Sequence, residues 1–161
     1  MPVPDPAHLL EQAEGLAAAP AEGQPRDADL RRTISTAYYA IFHAILTAAA
    51  DLFVGAAKQT TSLYGLAYRS VNHQKVREVC REVAKPIPSD RYKPYVLADA
   101  TVLLQAKRYE ADYNPLFAAT RTDVDILLKQ ARKALDDLQS ATEEQRSLFL
   151  GLLLFEPRAN P

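Results

Sequence analysis

Residues 31–46 read RRTISTAYYAIFHAIL, and the spacing of their apolar side chains decides the fold. Wound at about 100° per residue, Ile34, Tyr38, Ile41 and Ile45 share one side of a helix. Arg32, Thr36, Tyr39 and His43 gather within about 60° of arc on the opposite side. Outward from this stretch, Asp27 or Asp29 is placed to cap the start of the helix, and Gly55 to close it after Val54. One long helix over 27–54 is therefore predicted.

The remaining chain keeps the same period, with little glycine and few β-branched residues in alternation, so an all-α fold is expected. PDPAHLLEQAEGLAAA predicts a short first helix from about 6 to 19, and PAEGQPRD a loop. TTSLYGLAYRSVNHQKVREVCREVAK (60–85) opens with threonine caps at 60 and 61 and carries two apolar faces that disagree. Tyr64, Ala67, Tyr68 and Val71 share one; Val76, Val79, Cys80 and Val83 share another, rotated by more than a quarter turn. A straight helix cannot bury both against one neighbour, so a break is predicted near Asn72, which can cap the second piece.

PIPSDRYKPY (86–95) reads as a proline-bounded loop, followed by a helix over about 95–113 that ends before Asn114 and Pro115. TRTDVDILLKQARKALDDLQSA predicts an amphipathic helix with Val124, Leu127, Leu128, Ala131 and Leu135 on its stripe. TEEQRSLFLGLLLF opens with a capping box of Thr142 and Gln145 and makes a short last helix. Its Leu148, Phe149, Leu152, Leu153 and Phe155 exceed what one short helix can bury against a single neighbour.

The 161 residues are 48% hydrophobic and 24% charged, the balance of one globular domain that buries roughly 70% of its unfolded surface. Nineteen basic against twenty acidic side chains leave a net charge of −1, which excludes a global field drawing the protein to nucleic acid or an acidic membrane. One local basic region exists: Arg69, Lys75, Arg77, Arg81, Lys85, Arg91 and Lys93 face only Glu78, Glu82 and Asp90. The single cysteine, Cys80, flanked by Val79 and Val83, excludes an intramolecular disulfide and reads as an inert buried thiol. No zinc-ligand spacing, phosphate-cradling glycine loop or nucleophile elbow occurs, so neither metal nor cofactor is expected. The N-terminus has no basic segment followed by an apolar stretch, and LFLGLLLF is far short of the ~20 residues that span a bilayer. A cytoplasmic protein without membrane association is expected.

Three constellations bear on chemistry. The stripe of Arg32, Thr36, Tyr39 and His43 is either the wet side of a packed helix or a working face built of residues that hold phosphates and stack on bases. Arg69 and His73 stand four apart and meet on one face if their helix continues through them. An arginine to hold phosphate and a histidine to move a proton suffice for RNA cleavage without metal, the ribose 2′-OH attacking its own phosphate. Arg108 and Asp112 share a face in a helix's last turn, where a carboxylate opposes the macrodipole and needs a cation.

RRTISTAYYAIFHAIL, AYRSVNHQKVREVC and RYEADYNP together resemble the HEPN superfamily, in particular bacterial HEPN-like proteins with a YYAxFH helix and a later RxxADY. The resemblance spans 27–140. It implies an up-and-down helical bundle, here a single domain over 1–161 with short extra terminal helices. It also implies a homodimer, often beside a minimal nucleotidyltransferase partner or within toxin–antitoxin or anti-phage systems. Active members are metal-independent endoribonucleases whose motif is arginine, a polar residue, three or more residues, then histidine. RSVNH, Arg69 to His73, is one residue short; RYEAD, Arg108 to Asp112, is also one short and ends in aspartate.

The expected function is thus RNA or nucleotide binding by Arg32, Thr36, Tyr39, His43, Arg108 and Asp112, with any cleavage resting on Arg69 and His73. These residues are expected to converge on one electropositive cleft. The alternative is a non-catalytic module that dimerises and binds a protein partner.

Overall fold

The computed structural model describes residues 3–18, 23–85 and 95–158. In chain order they form α1 (Pro6–Ala17), α2 (Asp27–Val54), a 3₁₀ turn (Ala56–Lys58), α3 (Ser62–Ser70), α4 (His73–Val83), α5 (Tyr95–Tyr113), α6 (Arg121–Ser140) and α7 (Glu143–Leu154). No strand occurs among the described residues, and the chain is an all-α helical bundle. The loop expected over 86–95 lies outside the described residues except for Tyr95, as do Asp90, Arg91, Lys93 and part of the 20–27 loop.

α2 is the axis of the bundle. α1, α3, α5, α6 and α7 all pack against it, so it buries more than the one stripe its apolar spacing defines. Ile34, Tyr38, Ile41 and Ile45 are each at most 1% exposed, and Thr33, Thr36, Ala37, Ala40 and Ala49 are buried as well. Thr36 thereby departs from its expected place on an accessible stripe; with five helices around α2, little of its circumference is left to water. By length and composition α2 is also apolar enough to cross a membrane, yet 56% of its most apolar window is covered by the protein itself, as in a core helix.

Local chemistry sets the ends. Neither Asp27 nor Asp29 is the N-cap of α2: Arg26 holds that position without a side-chain cap bond, and both aspartates lie in the first turn. There they complement the macrodipole and take up Arg31 and Arg26 respectively, each at 2.7 Å. Gly55 closes the helix with φ 102°, a conformation in which a Cβ is strained. Thr61 caps α3 and Thr142 with Gln145 forms the capping box of α7. The predicted break falls at Val71–Asn72, and the Asn72 side chain accepts from the Lys75 amide at 2.9 Å.

The main core runs past 27–140, since Leu10, Ala13 and Ala17 of α1 and Phe149, Leu150 and Leu153 of α7 belong to it. The apolar tail is therefore divided: those three are buried, Leu152 is half-buried, and Leu148 and Phe155 stay exposed. Cys80 is fully buried, and burial pushes its thiol up to about 12, as expected of an inert side chain. The C-terminal end of α5 is held from outside: Arg31 donates to the carbonyl oxygens of Ala111 and Asn114 at 3.1 and 2.9 Å and to that of Phe117. Carbonyls at a helix end lack partners within the helix, and here α2 supplies them.

Replacing Asn72 by Ala removes the α4 cap and is expected to lower stability by about 1 kcal/mol. Asn72→Asp is expected to restore most of it, read as the urea midpoint of both variants.

Candidate functional site

The break at Asn72 delivers His73, the first residue of α4, to the side of α2. Tyr38 is fully buried, and a buried hydroxyl left without a partner costs about 1–3 kcal/mol. His73 supplies the partner, with Nδ1 2.8 Å from the Tyr38 hydroxyl. Its ring also stacks on Phe42, centroids 3.9 Å apart. From α5, Gln105 donates its amide to the His73 carbonyl at 3.0 Å, so α2 holds the ring and α5 the backbone of this residue.

A second imidazole sits beside it. His43 Nδ1 lies 2.5 Å from the Tyr68 hydroxyl of α3, with the two rings nearly parallel and 6.0 Å apart. Tyr39 separates the histidines, 6.1 Å from His43 and 6.0 Å from His73 by ring centroids.

Arg108 closes the group from α5. Its Nε donates to Asp112 at 2.9 Å and its Nη2 to the Tyr39 hydroxyl at 3.2 Å. The guanidinium stands 5.4 Å from the Tyr39 ring, 5.9 Å from Tyr38 and 5.8 Å from Tyr113, within reach of the ring quadrupoles. Asp112 also accepts from the Ser35 hydroxyl. The expected helix-end ion pair is present, and it is at the same time a tie between α5 and α2.

The electrostatics follow from burial. Burial, then the Arg108 charge and then His43, hold His73 below its ordinary value; its place at a helix N-terminus disfavours protonation further. Burial alone lowers His43. Burial raises Tyr38 and Tyr68, so both hydroxyls keep their protons at neutral pH. Neutral imidazoles result, each with Nδ1 engaged by a tyrosine. Where Nδ1–H donates to the phenolic oxygen, Nε2 keeps a lone pair for a proton; where the hydroxyl donates to Nδ1, Nε2–H is a donor. In either tautomer Nε2 is the atom left for a ligand.

Of the residues singled out from the sequence, Tyr39, His43, His73, Arg108 and Asp112 come together. Arg69 does not. It lies in the last turn of α3, on the far side of the break from His73, and its guanidinium folds back over Gly65, 3.2 Å from where a Cβ would stand. The helix that would have paired the two ends between them. Arg32 is exposed and makes no hydrogen bond among the described residues, and Thr36 is buried within the bundle. Among the described residues no cluster of three His, Cys, Asp or Glu is placed to hold a metal ion.

The sequence reading missed Tyr38, Phe42, Tyr68, Gln105 and Ser35. Tyr38 belongs by its spacing to the apolar side of α2, and nothing in that spacing shows that its hydroxyl and the neighbouring Phe42 ring reach a histidine. Gln105 did carry a signal: an amide in an otherwise apolar helix segment calls for a partner. Compared with protein families, with curated proteins and with solved structures, the chain matches none.

Both histidines are held below their ordinary values, so the unfolded chain takes up protons more readily than the folded one. Their contribution to stability is held above the ordinary value of 6.5 and is lost as pH falls through the folded values. The urea midpoint is expected to be lower at about pH 5 than at about pH 7.5, and His43→Gln should reduce the difference. Carboxylate titration alone would leave that difference unchanged in the variant.

Proposed function

We propose that the protein is a HEPN-like, cytoplasmic RNA- or nucleotide-binding protein of a toxin–antitoxin or anti-phage type system, and that the His43, His73, Tyr39 and Arg108 cluster is its binding site. The carrying observation is the arrangement of two half-buried neutral imidazoles about Tyr39, with an arginine stacked over the same ring. An aromatic face accepts a base, a guanidinium accepts phosphate, and an imidazole Nε2 exchanges a proton.

Cleavage at such a site needs no metal. One imidazole takes the proton of a ribose 2′-OH, and that oxygen attacks the adjacent phosphorus. The bond to the 5′-oxygen breaks, and the leaving oxygen takes the proton that the first imidazole accepted, relayed by the second imidazole. A 2′,3′-cyclic phosphate and a 5′-OH result. His73 and His43 fill these roles better than the Arg69–His73 pair, because Arg69 stands apart from the group.

A second reading, homodimerisation or docking of a protein such as a minimal nucleotidyltransferase, draws on a different surface. Leu52 and Phe53 at the end of α2, Leu63 and Leu66 of α3, and Phe155 after α7 are 46–63% exposed. Phe53 and Phe155 stand edge to face at 6.1 Å. Single exposed apolar residues are ordinary, but five near one end of a bundle favour an interface. Phe53→Glu is expected to convert a dimer to monomer in light scattering and to leave RNA affinity as it was.

For the cluster, wild type is expected to bind single-stranded RNA below ~100 μM at low salt with EDTA present, by fluorescence anisotropy. Tyr39→Ala should weaken binding about 5- to 100-fold through the lost stack. His43→Asn should abolish cleavage while retaining binding; it is the cleaner variant, since His73→Ala also strips the partner from the buried Tyr38 hydroxyl. Absence of both RNA affinity and cleavage in the wild type would overturn the reading.

A further inference from the structure

Arg108 has two sides. One faces the aromatic cluster; the other lines an open cleft of about 320 Å³ between α4 and α5, walled by Arg77, Arg81, Gln105, Arg108, Tyr109 and Glu110 among others. We propose that this cleft binds a terminal phosphate, a phosphomonoester carried by a free nucleotide or by the 5′ end of an RNA.

Charge is the first argument. Arg108 is already paired with Asp112, so Arg77 and Arg81 against Glu110 leave a local excess of one positive charge in a chain whose net charge is −1. A phosphomonoester carries about −1.5 to −2 at neutral pH on three terminal oxygens, an internal phosphodiester about −1 on two, so the terminal group engages both the Arg77 and the Arg81 fork more fully. Arg77 and Arg81 stand one turn apart on the exposed face of α4, whose other face buries Val76, Val79, Cys80 and Val83. Like charges at that spacing repel and weaken a helix on their own. Among the described residues neither arginine forms an ion pair, whereas Lys75 on the same helix and Lys85 just past its end are paired with Glu156 and Glu82. An anion bridging the two guanidinium forks would turn the repulsion into a binding determinant.

Gln105 gives an independent argument. The residue is 9% exposed, its amide nitrogen is committed to the His73 carbonyl, and its carbonyl oxygen is buried with no donor among the described residues. Buried polar atoms are almost always satisfied by protein or ordered water, and Gln105 is one of the residues that line the cleft. A water bridging Gln105 to a bound hydroxyl or phosphate would satisfy that oxygen. Beside it Tyr109 is 62% exposed and meets Tyr113 at 5.1 Å, offering a ring face where a base attached to the phosphate would lie.

The chemical class of the ligand rests on the RNA or nucleotide reading of the neighbouring cluster, whereas the anion site itself rests on the arginines. Cleavage at the cluster would yield a cyclic phosphodiester and a 5′-OH, neither of them a phosphomonoester. The cleft therefore recognises an incoming end or a free nucleotide, not the product. Gln105 and Arg108 are shared by the wall of the cleft and by the contacts of His73 and Tyr39, so an occupied cleft would also hold the cluster in place.

The test compares two pairs of probes: AMP with adenosine, and 5′-phosphorylated with 5′-hydroxyl hexauridylate, titrated into the full chain at low salt with EDTA. In at least one pair the phosphorylated member is expected to bind about tenfold tighter or more. A preference confined to AMP identifies a free nucleotide, and one shared by the oligonucleotides identifies an RNA end. The double variant R77Q/R81Q, both positions exposed and outside the core, should bring the ratio close to one, and circular dichroism checks that it remains folded. Tyr39→Ala should weaken both oligonucleotides alike and leave their ratio unchanged. Loss of RNA binding with the AMP preference intact would sink the cluster reading alone. A ratio near one for both pairs in the wild type, or a preference that survives R77Q/R81Q, would overturn the cleft.

Discussion

A buried hydroxyl at the centre of the bundle governs how the site is built. Tyr38 contributes its ring to the core of α2, where it is completely covered, and its oxygen must still find a partner. The partner is His73, and His73 reaches it only because the chain breaks at Val71–Asn72 and restarts as α4. A continuous helix through 60–85 would have carried His73 round with Arg69, away from Tyr38. Core packing and site assembly are thus one event: the residue that fills the centre of α2 also fixes the imidazole beside it.

The same economy holds on α5. Arg31 ties the carbonyls at the end of this helix to α2, and the Asp112 carboxylate meets Ser35 one turn further along α2. These bonds fix the height of α5 against α2 and so set Arg108 over the tyrosine rings. Burial first, and then an arginine in that position, keep His73 from charging, so the cation and the imidazoles divide the work. Arg108 carries the permanent charge, while His43 and His73 stay neutral and free to exchange protons at Nε2. Because Arg108 also lines the cleft with Arg77 and Arg81, one side chain joins the aromatic cluster to the cleft proposed for a phosphate.

Much of the fold is legible along the chain. The all-α class, the span of α2 from residue 27 to 54, the break at Asn72 with its cap, the end of α5 at Tyr113 and the capping box of α7 are local properties, set by spacing, caps and the residues that cannot continue a helix. Asp27 and Asp29 are both able to cap, but each is held inside the first turn by an arginine, Arg31 or Arg26. Thr36 looks accessible on a helical wheel and is buried, because a wheel shows one helix and α2 has five against it.

The candidate site divides along the same line. Periodicity by itself placed Tyr39 and His43 on one face of α2, paired Arg108 with Asp112, and set the break that separates Arg69 from His73, because each of these depends on residues within a turn or two of one another. Only the tertiary structure decided that Tyr38 and Phe42 would reach from the core to His73, that Tyr68 would meet His43, and that Arg77 and Arg81 would face Arg108 across a cleft. Those contacts join α2, α3, α4 and α5 across 25 to 69 residues of sequence or across a helix break. Spacing along a chain fixes which side chains share a face; which faces meet depends on how five helices share the space around α2.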